Sequence, residues 1–348
     1  MKRAKRNISA AMIAVTITAA SFVTVCAGVV IHGTIIKSHK AESQVEGIGA
    51  AVNVGESYYY DLLAGDAGEI YALTDNDEKN ELTDHHALVW KSMDQGDTWE
   101  EVLSQPDELK EDSGLFAGDL RKGEDGIEAI VIMMEREDDN AEGGYVNRVV
   151  QITADSCTEY DMDEVYTQLG GQDHLRDVKY VNDHSIALVG TEECLIYDID
   201  SQKVIKNLPY NLRMGCLKTQ DQFLLYGTEI YGCINAETLE EQEPEEGLQE
   251  FVQMMCKKNN AGTLDMLFPP MAAWKDTIVC VTKEAIYEYK DGEITQSKQL
   301  SSAVNNGHAF NGLLPFCKTG DGAYYVCTLD GAGGMSLWQI DGNKEEMK

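Results

Sequence analysis

Ser92-Met93-Asp94-Gln95-Gly96-Asp97-Thr98-Trp99 is the stretch on which the reading of this 348-residue chain turns. It sits inside residues 88–102, between two short runs of strand-forming residues. Asp94 is suited to accept backbone N–H groups across its own turn, and Gly96 can take a positive φ. Ser92 and Thr98 stand on the two arms beside the turn. Trp99 offers a large apolar body that can fold back between hairpin and sheet. The stretch therefore reads as a hairpin turn fastened by its own side chains.

Working outward, the same strand, turn and strand unit recurs. It covers 149–160 with a turn near Asp155, and 195–205 with a turn at Asp200 and Ser201. It returns at 230–239 around Asn235 and Ala236, at 286–294 around Asp291 and Gly292, and at 337–347 around Asp341 and Gly342. Turn intervals of roughly 35–60 residues suit four-stranded blades with insertions. Further strand-like runs precede the hairpins. Residues 127–134 are apolar almost throughout, as a strand buried on both faces should be. The pattern predicts an all-β fold, a β-propeller of six four-stranded blades over 53–348. Residues 237–270 fit no blade; if they hide one, the ring has seven. Within them, 251–256 read as a short helix or a degraded strand. Tyr58-Tyr59-Tyr60 is a candidate strand for completing the last blade. A pair of β-sandwiches would not explain six similar hairpins, and a β-helix would need shorter, more regular periods.

The turn at 92–99 has the form S-x-D-x-G-x-T-W and resembles the Asp-box, or BNR repeat, of sialidase-like and photosystem II stability factor-like propellers. The resemblance is strong over about 15 residues around that turn, and no second intact box follows. It implies a propeller in which Ser92, Asp94, Gly96, Thr98 and Trp99 are structural, on an outer hairpin away from the active-site face. A sialidase-like enzyme would also need three arginines on a carboxylate, a Tyr–Glu pair and an acid. After residue 40 there are five arginines: Arg121, Arg136, Arg148, Arg176 and Arg213. Arg121 and Arg176 each lie beside a candidate inner strand and are the candidate ligand contacts, with a surface ion pair as the plainer account.

No other catalytic signature is present: the chain has no GxSxG elbow, no HExxH and no Walker loop. Gly331-Ala332-Gly333-Gly334 lacks the lysine and helix start that cradle phosphate, and reads as a tight loop. The adjacent His85 and His86 lie in a polar loop, and no Cys/His cluster has zinc spacing. No metal site and no cofactor is expected; the acidic runs 135–140 and 240–250 would recruit Ca²⁺ only weakly, lacking the alternation of a defined loop. Cysteines such as Cys280 and Cys327 stand in apolar runs, so most of the eight after residue 40 are expected as free thiols.

The chain carries 60 acidic residues against 28 lysines and arginines, and six of those bases fall in the first 40 residues, which hold no acid. The body is thus strongly negative, which suits solubility and excludes nucleic acid as a partner. Residues 1–6 hold four bases and read as a basic cytoplasmic start. Residues 7–36 contain no Asp, Glu, Lys or Arg and are long enough to cross a membrane as one helix. Residues 37–52 would be the linker. With more bases before the run than just after it, the N-terminus is expected in the cytoplasm and the propeller outside. The alternative is a cleaved signal peptide, with Val25-Cys26-Ala27 at the cleavage site and the body secreted. The functional expectation is a membrane-anchored, extracytoplasmic, non-catalytic module that binds a protein or glycan through inserted loops at 75–86, 135–144 and 240–260. A sialidase-like glycoside hydrolase and an assembly factor for membrane or cell-wall proteins are the alternatives.

Overall fold

The computed structural model describes residues 59–75, 87–104, 113–123, 125–136, 145–211, 214–259, 268–282, 284–300, 315–329, 335–341 and 344–347. The expected basic start, membrane segment and linker at 1–52 lie outside the described residues, as do His85, His86, the 331–334 glycine run and most of the loops 75–86 and 135–144.

Six antiparallel sheets follow one another along the chain. The first blade is β1 (Tyr59–Ala64), β2 (Ile70–Asp75), β3 (Ala87–Ser92) and β4 (Glu100–Leu103). The second is β5 (Ser113–Lys122), β6 (Ile127–Arg136), β7 (Tyr145–Ile152) and β8 (Cys157–Glu159), followed by a short helix α1 (Asp163–Leu169). The third is β9 (Asp177–Tyr180), β10 (Ser185–Val189), β11 (Glu193–Asp198) and β12 (Lys203–Pro209). The fourth has only β13 (Gly215–Lys218), β14 (Gln222–Tyr226) and β15 (Ile230–Asn235), and leads into helix α2 (Glu246–Asn259). The fifth is β16 (Met271–Trp274), β17 (Thr277–Val281), β18 (Ala285–Lys290) and β19 (Glu293–Gln299). The sixth is β20 (Phe316–Lys318), β21 (Tyr324–Leu329), β22 (Met335–Asp341) and β23 (Lys344–Met347).

The first strands of the blades neighbour one another: β1 lies beside β5, β5 beside β9, β13 beside β16, β16 beside β20, and β20 beside β1. They therefore line the axis of the ring. Burial follows distance from that axis. Second strands such as β10 and β17 are buried at every position, whereas the outer strand β19 is largely exposed. A strand flanked by blades on both faces has no solvent side, so it reads as continuous Val, Ile and Leu. Apolar clusters fill the seams. Leu73 and Val89 of the first blade pack with Leu120 and Val131 of the second. Leu62 and Ile70 of the first pack with Cys317 and Tyr325 of the sixth, which closes the circle. Each buried side chain of this size contributes roughly 1.5–3 kcal/mol before the entropy of ordering the chain is charged against it.

Three expectations are corrected. Tyr59 and Tyr60 open β1 in the first blade, and the sixth blade supplies all four of its own strands, so among the described residues no strand is exchanged to close the ring. The fourth blade is not four-stranded. Beyond β15 the Asn235 side chain accepts the N–H groups of Glu237 and Thr238, and the returning chain pairs at one bridge, Ile234 with Glu241. Glutamate-rich sequence with Pro244 then supports no ladder, since proline lacks the N–H and glutamate packs poorly on a pleated surface. Finally, the described part of 237–270 holds no seventh blade. Leu248, Phe251, Val252, Met255 and Cys256 recur at helical spacing and are buried between the fourth and fifth blades. Glu246 in the first turn and Lys257 and Lys258 in the last complement the helix dipole. The stretch 240–260, read as a free recognition loop, thus has one face committed to the core.

All eight cysteines from Cys157 to Cys327 carry free thiols, six of them buried. Titration of the denatured, unreduced full chain is expected to find these eight reactive. Three or four disulfides would contradict that assignment.

Candidate functional site at the channel axis

The inner strands place charged side chains in the channel. Asp61 on β1 accepts the N–H of Leu120 on β5 at 2.8 Å. Asp119 on β5 accepts the N–H of Tyr180 on β9 at 2.8 Å. Each carboxylate thus reaches across one seam and satisfies a backbone donor of the next blade, a bond strengthened by the charge on the acceptor. By this register Lys179 stands on β9 where Asp61 and Asp119 stand on their own strands. A lysine has no acceptor to offer, so the ladder stops there.

Lys179 instead turns to the carboxylates behind it. Its Nζ lies 3.3 Å from Asp119 Oδ1 and 3.9 Å from Asp177 Oδ1, and donates to the Gly118 carbonyl at 3.2 Å. Gly118 itself is required by the packing of the seam: a Cβ there would lie 2.5 Å from Leu73 Cδ2 and 3.0 Å from the Ile130 carbonyl. Burial pulls the Lys179 ammonium down, but Asp177, Asp119 and Asp61 outweigh it and hold it above its ordinary value. Burial raises Asp177 despite Lys179. Burial, with the Asp119 charge behind it, pushes Asp61 up to about 7, against the opposing pull of Lys179 and the Leu120 and Leu62 N–H groups. Two carboxylates, Asp119 and Asp177, pair with one ammonium, and Asp61 feels its field.

The candidate arginines are not brought together. Arg121, two residues past Asp119 on β5, holds Glu128 through Nη2 at 2.7 Å and Nε at 2.8 Å. It donates to the Asn182 carbonyl at 2.9 Å and lies 4.1 Å over the Tyr180 ring. Its side chain is 12% exposed, so its donors face protein rather than the channel. Arg176 precedes β9, half-buried, with its backbone N–H on the Val189 carbonyl at 2.7 Å. Because β5 and β9 run side by side, the backbone positions of the two arginines lie about five residues apart along the axis, roughly 16 Å.

The Ser92–Trp99 turn sits elsewhere. Asp94 Oδ1 accepts Ser92 Oγ at 2.9 Å and the Thr98 N–H at 2.8 Å, while Oδ2 accepts Thr98 Oγ1 at 2.5 Å. These bonds, led by Thr98, hold the Asp94 carboxyl below the usual range. The Gly96 N–H donates to Ser92 Oγ at 2.8 Å from a φ of 88°, and Trp99 Nε1 donates to the Gly96 carbonyl at 3.1 Å. The Trp99 ring packs against the cluster between the sixth and first blades. Gln95, between Asp94 and Gly96, accepts from Gln339 Nε2 at 3.0 Å and donates to Asp321 at 3.4 Å, both residues of the sixth blade. The turn is therefore part of the ring closure.

Sequence reasoning missed Asp61, Asp119, Asp177 and Lys179. A signal was present: Asp61-Leu62, Asp119-Leu120 and Asp177-Val178 recur at an interval of 58 residues, each an acid followed by an aliphatic residue. The structural register departs from that interval in the third blade, where Lys179 rather than Asp177 takes the equivalent level.

No known sequence family and no curated protein matches the chain. Likeness exists among solved folds. A mutant Aleuria aurantia lectin in complex with Fucα1-6GlcNAc aligns with a TM-score of 0.50 at 11% identity, over 84% of this chain and 94% of the lectin. The β-propeller domain of the Trilobed protease from Pyrococcus furiosus aligns at 0.41 and 12%, over 84% of this chain and 97% of that domain. The Neurospora crassa Pan2 WD40 domain aligns at 0.43 and 10%, over 83% and 77%. At such identities the likeness concerns fold alone, and the lectin alignment agrees with the six-bladed propeller described above. None of these alignments bears on the Asp-box resemblance, which is confined to the 92–99 turn.

Proposed function

We propose that this chain is a membrane-anchored, extracytoplasmic propeller that acts as a non-catalytic binding module for a protein or glycan ligand. One observation carries the reading: the polar groups nearest the axis are spent on holding blades together. Asp61 and Asp119 accept N–H groups of neighbouring blades, and Lys179 is shared between two carboxylates. Arg121, the best-placed candidate for a substrate carboxylate, is bound to Glu128 and stacked on Tyr180. A ring so fastened is a rigid mount for recognition by its loops. The anchoring part rests on the uncharged run at 7–36 behind its basic start.

The sialidase-like alternative gives the decisive experiment. The full-length chain, kept in mild detergent, is tested for saturable binding to an immobilised panel of sialylated and fucosylated oligosaccharides, and for release of fluorophore from a fluorogenic sialoside. Binding without turnover is expected if the ligand is a glycan, and neither if it is a protein. Fluorophore release proportional to protein concentration overturns the proposal.

A further inference from the structure

We propose that the rim of the channel at which the inner strands end holds a small dianion, a phosphate monoester being the simplest, gripped by Lys122 and Lys275 beside Trp274. Lysines gather at that rim. Lys122 is the last residue of β5, Lys218 of β13 and Lys318 of β20, and Lys275 follows Trp274, the last residue of β16. Each of these strands is the first of its blade and hands the chain to an antiparallel second strand, so the four ends are equivalent. Four blades thus deliver a lysine to one rim of a chain whose net charge is −32. The acids of the same turns are engaged elsewhere or exposed. Asp276 pairs with Lys290 at 2.8 Å, Asp321 accepts Thr319 Oγ1 at 2.5 Å, and Glu288 holds Lys318 at 2.7 Å. Asp125 and Asp221 are exposed and, among the described residues, pair with none of these lysines.

Two of the lysines converge on one acid. Asp66, in the turn between β1 and β2, lies 3.3 Å from Lys122 Nζ through Oδ2 and 3.9 Å from Lys275 Nζ through Oδ1. A Cβ on Gly320 of the sixth blade would stand 3.5 Å from the Trp274 ring and 4.0 Å from the Asp66 carbonyl, which sets the indole beside the acid. The Lys275 ammonium is 4.4 Å from the centre of that ring, on a backbone held at a φ of 54°. A lysine in the left-handed region is costly, and such cost is commonly kept where a side chain must be aimed. Lys218 ends the strand beside β16 and forms no ion pair among the described residues. The contact therefore sets two ammonium groups against one negative charge, with an unpaired third on the neighbouring strand. A dianion balances that arrangement better than Asp66 does. Asp66 is 72% exposed, so it can swing aside without opening the fold. The net charge of the chain repels extended polyanions, whereas the lysines act within a screening length of about 8 Å, which favours a small anion. Lysines bring point charges rather than the planar fork that matches a carboxylate, which suits the tetrahedral oxygens of phosphate. Trp274 offers apolar surface to the organic part of the ester.

The test is calorimetric titration of the full-length chain, in mild detergent at low ionic strength, with phenyl phosphate and with inorganic phosphate. Saturable binding of one phenyl phosphate per chain is expected, weakened about tenfold or more in Lys122→Met and in Lys275→Met. Asp66→Asn removes the resident acid at nearly constant size, so it should bind about threefold or more tightly than wild type. Trp274→Leu should erase the advantage of phenyl phosphate over inorganic phosphate. Lys91→Met, which breaks a 3.8 Å pair with Glu100 on the outer strands of the first blade, should bind as wild type does. Failure of both wild type and Asp66→Asn to bind phenyl phosphate saturably overturns the proposal. Equal affinity in wild type, Lys122→Met and Lys275→Met also overturns it, since the anion would then sit elsewhere.

Discussion

Replacing Lys179 with methionine is expected to cost about 3 kcal/mol at pH 8, because it removes the one ammonium among three half-buried carboxylates. Methionine fills much of the same volume, so the loss is of charge rather than packing. Asp119 and Asp177 lose partners at 3.3 and 3.9 Å, and Asp61 loses the nearest positive field. In thermal unfolding this corresponds to a midpoint lower by roughly 6 °C for a body of this size. The deficit should shrink at pH 5. Asp61 and Asp177 are already held above the ordinary carboxylate range, and without Lys179 they protonate still more readily, which relieves the repulsion. Lys122→Met is the control: its pair with Asp66 at 3.3 Å is exposed on both sides, and its loss should change stability by less than about 1 kcal/mol. Equal midpoints for Lys179→Met and wild type at pH 8 would show that the cluster does not hold the blades.

The second large effect concerns Trp99→Ala, with an expected cost of about 2–3 kcal/mol and a midpoint lower by roughly 4–6 °C. The ring packs into the seam between the sixth and first blades, where closure depends on side chains. Removing it leaves a cavity at that seam, and the Gly96 carbonyl loses its indole donor. The cost sits below that of a fully buried aromatic because Trp99 is only half-buried. Asp94→Ala should cost less, about 1 kcal/mol, since the turn that loses its three bonds is open to water, which replaces part of them. A Trp99→Ala midpoint within about 1 °C of wild type would mean that the ring is not packed and that closure rests on the Gln95 contacts and the remaining apolar cluster.

Local chemistry made the hairpins legible. Asp94 with Gly96, or Asp291 with Gly292, specifies a tight turn without reference to the rest of the molecule, and the structure carries Gly96 and Gly292 at positive φ. The apolar run of β6 announced a strand buried on both faces, and Ala129 to Met133 are at most 1% exposed. Such features repeat, and their spacing led to six blades. What misled was any segment whose partner lies far away in sequence. Tyr58-Tyr59-Tyr60 has the composition of a closing strand, but whether it pairs with the first or the last blade is settled by which neighbour offers a free edge. The sixth blade, complete with β23, offers none to it. The outer arm of the fourth hairpin failed for a similar reason: turn chemistry at Asn235 was sufficient for a reversal, but not for a ladder beyond it.

The repeating unit and the fastened turn at 92–99 were legible in the residues alone, because they depend on contacts within a few positions. That Asp119, Asp177 and Lys179 pair, that Arg121 is held by Glu128 and Tyr180, and that Trp99 packs at the ring closure emerges only from the folded arrangement. Those relations depend on which inner strand lies beside which and at what level. A two-residue difference in register puts Lys179, not Asp177, at the third rung. No local propensity encodes that offset; it is set by how each blade seats on its neighbour when the seams are packed.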